Sequence, residues 1–342
     1  MKVLVTGHQG YLGTVMVPLL NAAGHDVVGL DNGYFADCVL GIAPTEPPCL
    51  AVDLRDVTVD QLRGFDAVVH LAALSNDPLG ALAPDITYDV NHHASVRLAV
   101  LAKEAGVRRF LYASTCSVYG AAGTDLVSED AELHPITPYA TSKVRVEADV
   151  AALADADFTP VFLRNATAFG FSPRLRADIV LNNLVGHAVL TGVVRVMSDG
   201  TPWRPLVHAQ DIARAFETCL TAPAEIVSCR AYNVGAEDNN VTVAEIAKTV
   251  VDTVPGSTLL ITGETGSDPR SYRVDFSRAR AELDFEATWS VADGAAELYE
   301  AYLANGLNSK DFDESFTRLK RLEWLTAQGV LDETMRRVSA IA

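Results

Sequence analysis

The stretch Val3-Leu4-Val5-Thr6-Gly7-His8-Gln9-Gly10-Tyr11-Leu12-Gly13 decides the fold. A short apolar run breaks at Thr-Gly, glycines follow at 7, 10 and 13, and an apolar periodic segment then resumes. That order reads as strand, tight turn and helix start. The N–H groups of a helix's first turn have no partner within the helix, and the helix dipole adds to their pull. A turn built of glycines lets an oxyanion reach those groups with no Cβ in the way.

Three glycines near an N-terminus also fit an ordinary turn with close helix packing. The next strand, Val27-Val28-Gly29-Leu30, separates the two readings because it closes on Asp31. An acidic residue about 20 positions beyond the glycines is the spacing of a dinucleotide site. Its carboxylate accepts hydrogen bonds from both hydroxyls of an adenosine ribose and repels a 2′-phosphate. NAD is therefore expected rather than NADP.

Composition narrows the function classes. At 342 residues the chain can bury a large core and is expected to form two structural regions. Its 27 basic and 44 acidic residues give a formal charge of −17, which argues against broad electrostatic binding of nucleic acid or of an anionic membrane. An anionic substrate must then be met by a few placed arginines. The cysteines, Cys38, Cys49, Cys116, Cys219 and Cys229, form no metal-ligand spacing, and their odd number suits a reducing compartment. Neither a disulfide nor a metal site is expected. No apolar run approaches the roughly 18 residues of a membrane span, and the first one is broken too early for a secretion signal. A cytoplasmic protein is expected.

Short β-branched runs alternate with longer helical patterns through the first half, which is the signature of a parallel sheet. Strands are expected near 2–6, 26–30, 49–53, 66–72, 107–113 and 158–163. Pro18 is expected to kink or end the first helix, and Pro44, Pro47 and Pro48 mark an irregular connection. Asp53, followed by Leu54, ends the third strand on the edge where ligands of such sheets collect. It either bonds an adenine amino group or caps the next helix. Leu71, Ala72 and Ala73 end the fourth strand with side chains small enough for a cofactor to lie across, and His70 reads as a packed strand histidine. A helix near 85–105 carries Val90, Ala94, Leu98 and Leu101 in one stripe, either core or half of a dimer seam. His92 and His93 are adjacent on it and so face different ways.

The chemistry concentrates in two clusters. The strand from Val107 runs into Ser114-Thr115-Cys116-Ser117-Val118-Tyr119-Gly120, and Thr137-Pro138-Tyr139-Ala140-Thr141-Ser142-Lys143 opens an amphipathic helix. Tyr139 and Lys143, four apart, share a helical face. An ammonium beside a phenol favours phenolate and makes it a usable base near neutral pH.

Taken together, Gly7-x-x-Gly10-x-x-Gly13, Leu30-Asp31-Asn32, Asp53, His70-Leu71-Ala72-Ala73, Asn91, Ser114-Thr115-x-Ser117-Val118-Tyr119-Gly120 and Tyr139-x-x-x-Lys143 resemble the extended short-chain dehydrogenase/reductases of the NAD-dependent epimerase/dehydratase group. The likeness runs from the first strand to about residue 280. It implies an α/β fold, a Rossmann-type doubly wound parallel sheet with a smaller, interleaved C-terminal α/β substrate domain. Residues 1–170, with about 208–235, would form the NAD-binding domain, and 171–207 with 236–342 the substrate domain. Ala231-Tyr232-Asn233-Val234-Gly235 looks like a last strand rejoining the cofactor sheet. By the resemblance the cofactor is NAD, held by the glycine turn with Tyr11 and Leu12, by Asp31, Asn32, Asp53, Leu54, Leu71, Ala72, Ala73 and Asn91, and by Tyr139 and Lys143. Thr115 would bond the reacting sugar oxygen, Tyr139 would be the base and Lys143 would hold the nicotinamide ribose.

The same resemblance implies a nucleotide-diphosphate sugar as substrate, and a homodimer is the expected assembly. Ser117, Thr167, Arg174, Asn183, Arg204 and Arg270 are the substrate-side candidates. Thr167 stands where the group usually has Asn. Asn183 and Arg204 match positions that meet the diphosphate, and Arg204 offers a planar fork suited to phosphate oxygens. Arg270 belongs to Ser267-Asp268-Pro269-Arg270-Ser271-Tyr272, which resembles a loop that closes over the nucleotide. Arg174, with Arg176, is either a sugar or phosphate contact or solvated surface charge. The tail beyond residue 290 has no role by the resemblance.

Sugar 4,6-dehydratases carry Asp-Glu directly after the Thr, and here those positions are Cys116 and Ser117. Cys116 reads as a small buried residue. The expected activity is therefore nucleotide-sugar epimerisation, at C4, through a 4-keto sugar with NAD retained. An NDP-4-ketosugar reductase is the runner-up, and a non-catalytic dinucleotide sensor the reading from another class.

Overall fold

The computed structural model describes residues 1–75, 83–121, 125–264 and 270–338. Seven strands form one sheet: β1 (Lys2–Thr6), β2 (Asp26–Asp31), β3 (Cys49–Ala51), β4 (Ala67–His70), β5 (Arg109–Thr115), β6 (Thr159–Asn165) and β7 (Ala231–Val234). Their spatial order is β7-β6-β5-β4-β1-β2-β3 and every pairing is parallel. The chain order reverses between β1 and β4, so a crevice opens there at the carboxyl edge of the sheet, the place where ligands of doubly wound folds bind.

Alternate residues of the strands feed two different cores, as a sheet covered on both faces requires. Val3, Val5, Val69, Leu111 and Val161 pack with Met16, Leu20 and Phe216 from α1 (Tyr11–Ala22) and from a helix over Ala209–Thr221. Leu4, Val68, Phe110 and Phe162 pack on the other face, against Leu98 of α2 (Ala94–Glu104) and Val146 and Val150 of α3 (Pro138–Ala151). A third cluster, built on α4 (Val180–Thr191) and α5 (Val291–Ala304), lies among smaller sheets, one of which joins residues 167–169, 203–208 and 240–242.

Several boundaries differ from the sequence expectation. The third strand stops at Ala51, two residues early, because Asp53 turns the chain by capping a short helical turn over Leu54–Asp56. The fifth runs Arg109–Thr115 instead of 107–113, and Thr115 therefore ends it in register with Asn165. Pro18 lies inside α1 without ending it, since Val17 and Leu20 are buried on either side. Residues 32–48 carry neither helix nor strand, as the prolines suggested.

The helical stretch near 85–105 holds a π turn at Asp89–His93, whose extra residue turns Asn91 inward. Ala94 and Leu98 of the expected stripe are buried in the core, so that stripe is spent within the chain. Among the described residues the cysteines are all free, no group of His, Cys, Asp and Glu is arranged to hold a metal, and no helix is long and apolar enough to cross a membrane.

Candidate functional site

The glycine turn is as tight as its spacing implied. Gly7 adopts φ +72°, and a Cβ there would lie 2.9 Å from the Ala72 nitrogen; one at Gly13 would lie 2.3 Å from the Gly7 carbonyl oxygen. Glycine at 7 and 13 thus allows the turn to close and α1 to seat against it. Gly10 caps α1 with no side chain, leaving the first-turn N–H groups to face the cavity lined by Gly10, Tyr11 and Leu12. Such a cradle accepts a pyrophosphate and fits the dinucleotide that the glycine spacing implied.

The cavity has a volume of about 600 Å³ and runs from the β2 crevice to the ends of β5 and β6. Gly7, Gly13, Asp31, Asn32, Asp53, Leu54, Leu71, Ala72 and Ala73 all line it. Asp31 accepts hydrogen bonds from the Gln9 N–H at 3.0 Å and the Gly33 N–H at 2.8 Å, so it ties the glycine turn to the strand end. Asp53 accepts from the Arg55 N–H at 2.9 Å and pairs with the Arg55 guanidinium at 2.8 Å. The capping role is thus its observed one.

Asn91 corrects the sequence reading. It is fully buried and absent from the cavity wall, with its amide engaged on both sides of the Leu74 backbone at 2.7 and 3.1 Å. Its observed role is to anchor the loop after β4. His70 is also fully buried, bridging Thr6 Oγ1 at 2.7 Å and Ser95 Oγ at 2.8 Å. Burial, with the Lys143 charge second, pushes its pKa down to about 3, which keeps the imidazole neutral.

Thr115, Tyr139 and Lys143 converge on this cavity. Thr137 starts α3 by accepting the Ala140 N–H at 3.1 Å, with Pro138 in the first turn where a missing N–H costs nothing. One turn of that helix then separates the phenol from the ammonium. Lys143 is 2% exposed, donates to the Ala113 carbonyl at 2.7 Å, and lies 5.6 Å from the centre of the Tyr139 ring. Burial lowers its pKa to about 7, and the Glu147 carboxylate opposes that fall.

Glu147, one further turn along, was not singled out in the sequence. It holds Arg164 of β6 at 2.6 Å in a buried pair, and it accepts the Ser114 hydroxyl as well. Arg164 also donates to the Tyr119 hydroxyl at 3.1 Å, and Tyr119 to Asn233 at 2.7 Å. This network ties β5, β6, β7 and α3 together immediately behind the hydroxyl cluster. The signal available in sequence was the i, i+4 spacing of Lys143 and Glu147. Cys116 is fully buried, its thiol on the Arg164 carbonyl at 3.0 Å and its pKa pushed up by burial. It is packing, as its size suggested, while Ser117 faces the cavity.

Thr167, Asn183, Arg204 and Arg270 also line the cavity. Arg204 donates to the Trp203 carbonyl at 2.9 Å, and Asn183 to the Ala177 carbonyl at 2.8 Å. Arg270 Nη1 is 3.5 Å from Ser117 Oγ; residues 267–269 of its loop lie outside the described residues.

Arg174 is the second correction. It is 3% exposed and bonded to Thr14 Oγ1, the Ala36 carbonyl and Glu46, so it pins α1 to the β2–β3 connection away from the cavity. The neighbouring Arg176 lines the cavity instead, paired twice with Asp178 at 3.0 Å. Arg318, from α6 (Arg318–Ala327), is a further lining residue that the sequence did not mark.

Residues 3–235 match the family model described as the NAD dependent epimerase/dehydratase family. A UDP-glucose 4-epimerase of Mycolicibacterium smegmatis is 29% identical over 315 residues, which are 88% of this chain and 98% of that protein. The structure of MoeE5 in complex with UDP-glucuronic acid and NAD is similar with a TM-score of 0.77 and 29% identity, covering 89% of this chain and 99% of the other. DesIV, a dTDP-glucose 4,6-dehydratase from Streptomyces venezuelae with NAD bound, gives a TM-score of 0.77 and 25% identity over 91% and 100%. The chain belongs to the NAD-dependent epimerase/dehydratase family.

Proposed function

From a member of the NAD-dependent epimerase/dehydratase family with this cavity, we propose epimerisation of a nucleotide-diphosphate sugar at C4, with NAD kept through the cycle. NAD, when bound, supplies the site that takes a hydride from the sugar and returns it. Tyr139, as phenolate, accepts the proton of the C4 hydroxyl while Thr115 donates a hydrogen bond to the same oxygen. The 4-keto sugar then turns over, and Tyr139 returns the proton on the other face, so no net redox change remains. The Lys143 ammonium favours the phenolate by charge. Arg204, Arg270 and Asn183 are the groups assigned to the sugar's diphosphate. The division into a cofactor domain of 1–170 with about 208–235, and a substrate domain from the remainder, belongs to the same proposal.

The observation that carries epimerisation over dehydration is the burial of Cys116. Its thiol is turned into the Arg164 backbone and its pKa is raised, so the position after Thr115 offers no acid or base to remove water. UDP-glucose 4-epimerase from Mycolicibacterium smegmatis, alike over nearly the whole of its length, supports the same choice.

The test is a panel of UDP-, GDP-, CDP-, ADP- and TDP-sugars. A ligand at about a hundred times its Kd should stabilise the protein by about 2.7 kcal/mol, and the one that does so should be converted to its C4 epimer without consumption of added NAD(P)H. Stoichiometric NAD(P)H consumption by a ketosugar would replace this reading with a reductase.

A further inference from the structure

Arg318 is a buried cation whose charge the protein answers only in part, through the Asp178 carboxylate that is already paired with Arg176. It is 5% exposed, its guanidinium lies 4.0 Å over the Phe35 ring, and Nη2 donates to the Arg174 carbonyl at 3.2 Å. Nη1 is buried with no hydrogen-bond partner. Burial first, and the Arg176 charge second, lower its pKa to about 10, so its surroundings press against the positive form. Holding a guanidinium with only a shared counter-charge in such a place is costly, and an oxyanion in the cavity that Arg318 lines lowers that cost.

The neighbours of Arg318 indicate which anion. Phe35 follows β2. Arg174 is tied by its side chain to Thr14 of α1 at 3.2 Å, and Arg176 to Ser75 after β4 at 3.1 Å. Of these, Phe35 and Ser75 line the cavity, at the crevice between β2, β1 and β4. Arg204 and Arg270, the cations assigned to the sugar, come from strand 203–208 and the loop ending at 272.

A separate set of contacts ties the same C-terminal segment to the cofactor half. Leu322 and Leu325 of α6 are buried with Tyr34 and Leu74. Beyond the helix, Arg337 donates to the Asn32 and Gly33 carbonyls at 2.6 and 2.7 Å, and the Tyr34 hydroxyl donates to the Met335 carbonyl. Arg55, paired with Asp53, donates to the Thr334 carbonyl at 2.8 Å, and Arg336 pairs with Asp56 at 2.5 Å. The chain end thus straps the loops after β2 and β3, which edge the adenosine end of a dinucleotide crevice.

We propose that Arg318 is a cofactor-binding residue that completes the oxyanion site at the α1 N-terminus for the NAD pyrophosphate, and that the C-terminal segment holds the dinucleotide in place. The proposal rests on the NAD reading of the cavity. It gives the last helix a role that the family resemblance did not.

Full-length protein stripped of nucleotide is compared as wild type, Arg318→Met and Arg318→Lys by calorimetric titration with NAD and, separately, with UDP as the probe of the sugar end. Met keeps the stem and its packing on Phe35 but removes the fork. Losing a charge-assisted, forked contact should raise the Kd for NAD ~10- to 100-fold. Lys, which keeps a point charge, should fall between the two, and UDP affinity should be unchanged. Folded Arg318→Met with wild-type NAD affinity overturns the proposal, and so does equal weakening of NAD and UDP, which would mean general damage to the cavity. If Arg318→Met does not fold, Arg318→Lys alone decides, since wild-type NAD affinity there removes any role for the fork. Wild type that binds no NAD sinks the cofactor reading itself, before any variant is measured.

Discussion

Lys143 Nζ stands 5.6 Å from the centre of the Tyr139 ring, one turn further along the same helix, and is itself held by the Ala113 carbonyl at the end of the neighbouring strand. A helical turn fixes the spacing and a strand carbonyl fixes the direction, so the charge beside the phenol is set by backbone and not by a mobile side chain.

Tyr139→Phe removes the proposed acid and base while keeping the ring. Turnover of the sugar should fall by about 10²- to 10⁴-fold, the span of general acid–base catalysis, measured per molecule of protein that carries NAD, read by absorbance after denaturation. Retained turnover would remove Tyr139 from the mechanism.

The depressed pKa of Lys143 makes the NAD-free protein pH-sensitive in a stated direction. Its pKa falls from the usual 10.5 to about 7 on folding. Between those values the unfolded chain binds the proton that the folded one has released, so stability rises with pH across the window. This stabilising contribution is present above 10.5 and lost as pH falls through 7. Denaturant midpoints from pH 7 to 10 should rise more steeply in wild type than in Lys143→Met; parallel curves would contradict the burial argument.

Gly13→Ala places a methyl 2.3 Å from the Gly7 carbonyl oxygen and 2.5 Å from His8 Cα, backbone atoms that cannot swing aside. A cost of about 1–3 kcal/mol is expected from overpacking, read as a lower melting temperature, together with weaker NAD binding. The same change at Gly24, which has nothing within 4 Å but sits at φ +84°, carries the backbone penalty alone and should leave NAD affinity intact.

Glu147→Gln leaves the Arg164 guanidinium buried without its counter-charge. Breaking such a pair costs about 3–5 kcal/mol, so urea unfolding should shift accordingly. Because the Glu147 charge raises the Lys143 pKa, its removal should lower that pKa further, so the rise of stability with pH assigned to Lys143 should begin at lower pH in the variant. A variant as stable as wild type would show that the pair contributes nothing net.

Local signals were legible wherever one segment carried both the backbone conformation and the chemistry. The glycine turn, Asp31 at a strand end and the Tyr139–Lys143 spacing each occupy a few consecutive residues. Their placement on one cavity then followed from a parallel sheet, which brings every strand's carboxyl end to the same edge. Asn91 and Arg174 were misread because their residue types suit a ligand equally well. Only the distances showed that the Leu74 backbone and Thr14, Ala36 and Glu46 consume their hydrogen-bonding capacity.

The order of apolar, polar and glycine residues by itself determined a parallel α/β sheet, the dinucleotide turn and the helix that presents Tyr139 and Lys143, because all three depend on short-range spacing. Tertiary structure alone decided that Cys116 faces the Arg164 backbone, that Glu147 pairs with Arg164, and that Arg318, 175 residues after Lys143, enters the cavity. Those contacts join segments that no periodicity relates. The Cys116 and Glu147 contacts exist because burying a thiol or a charge favours pairing it with whatever group the packed chain supplies.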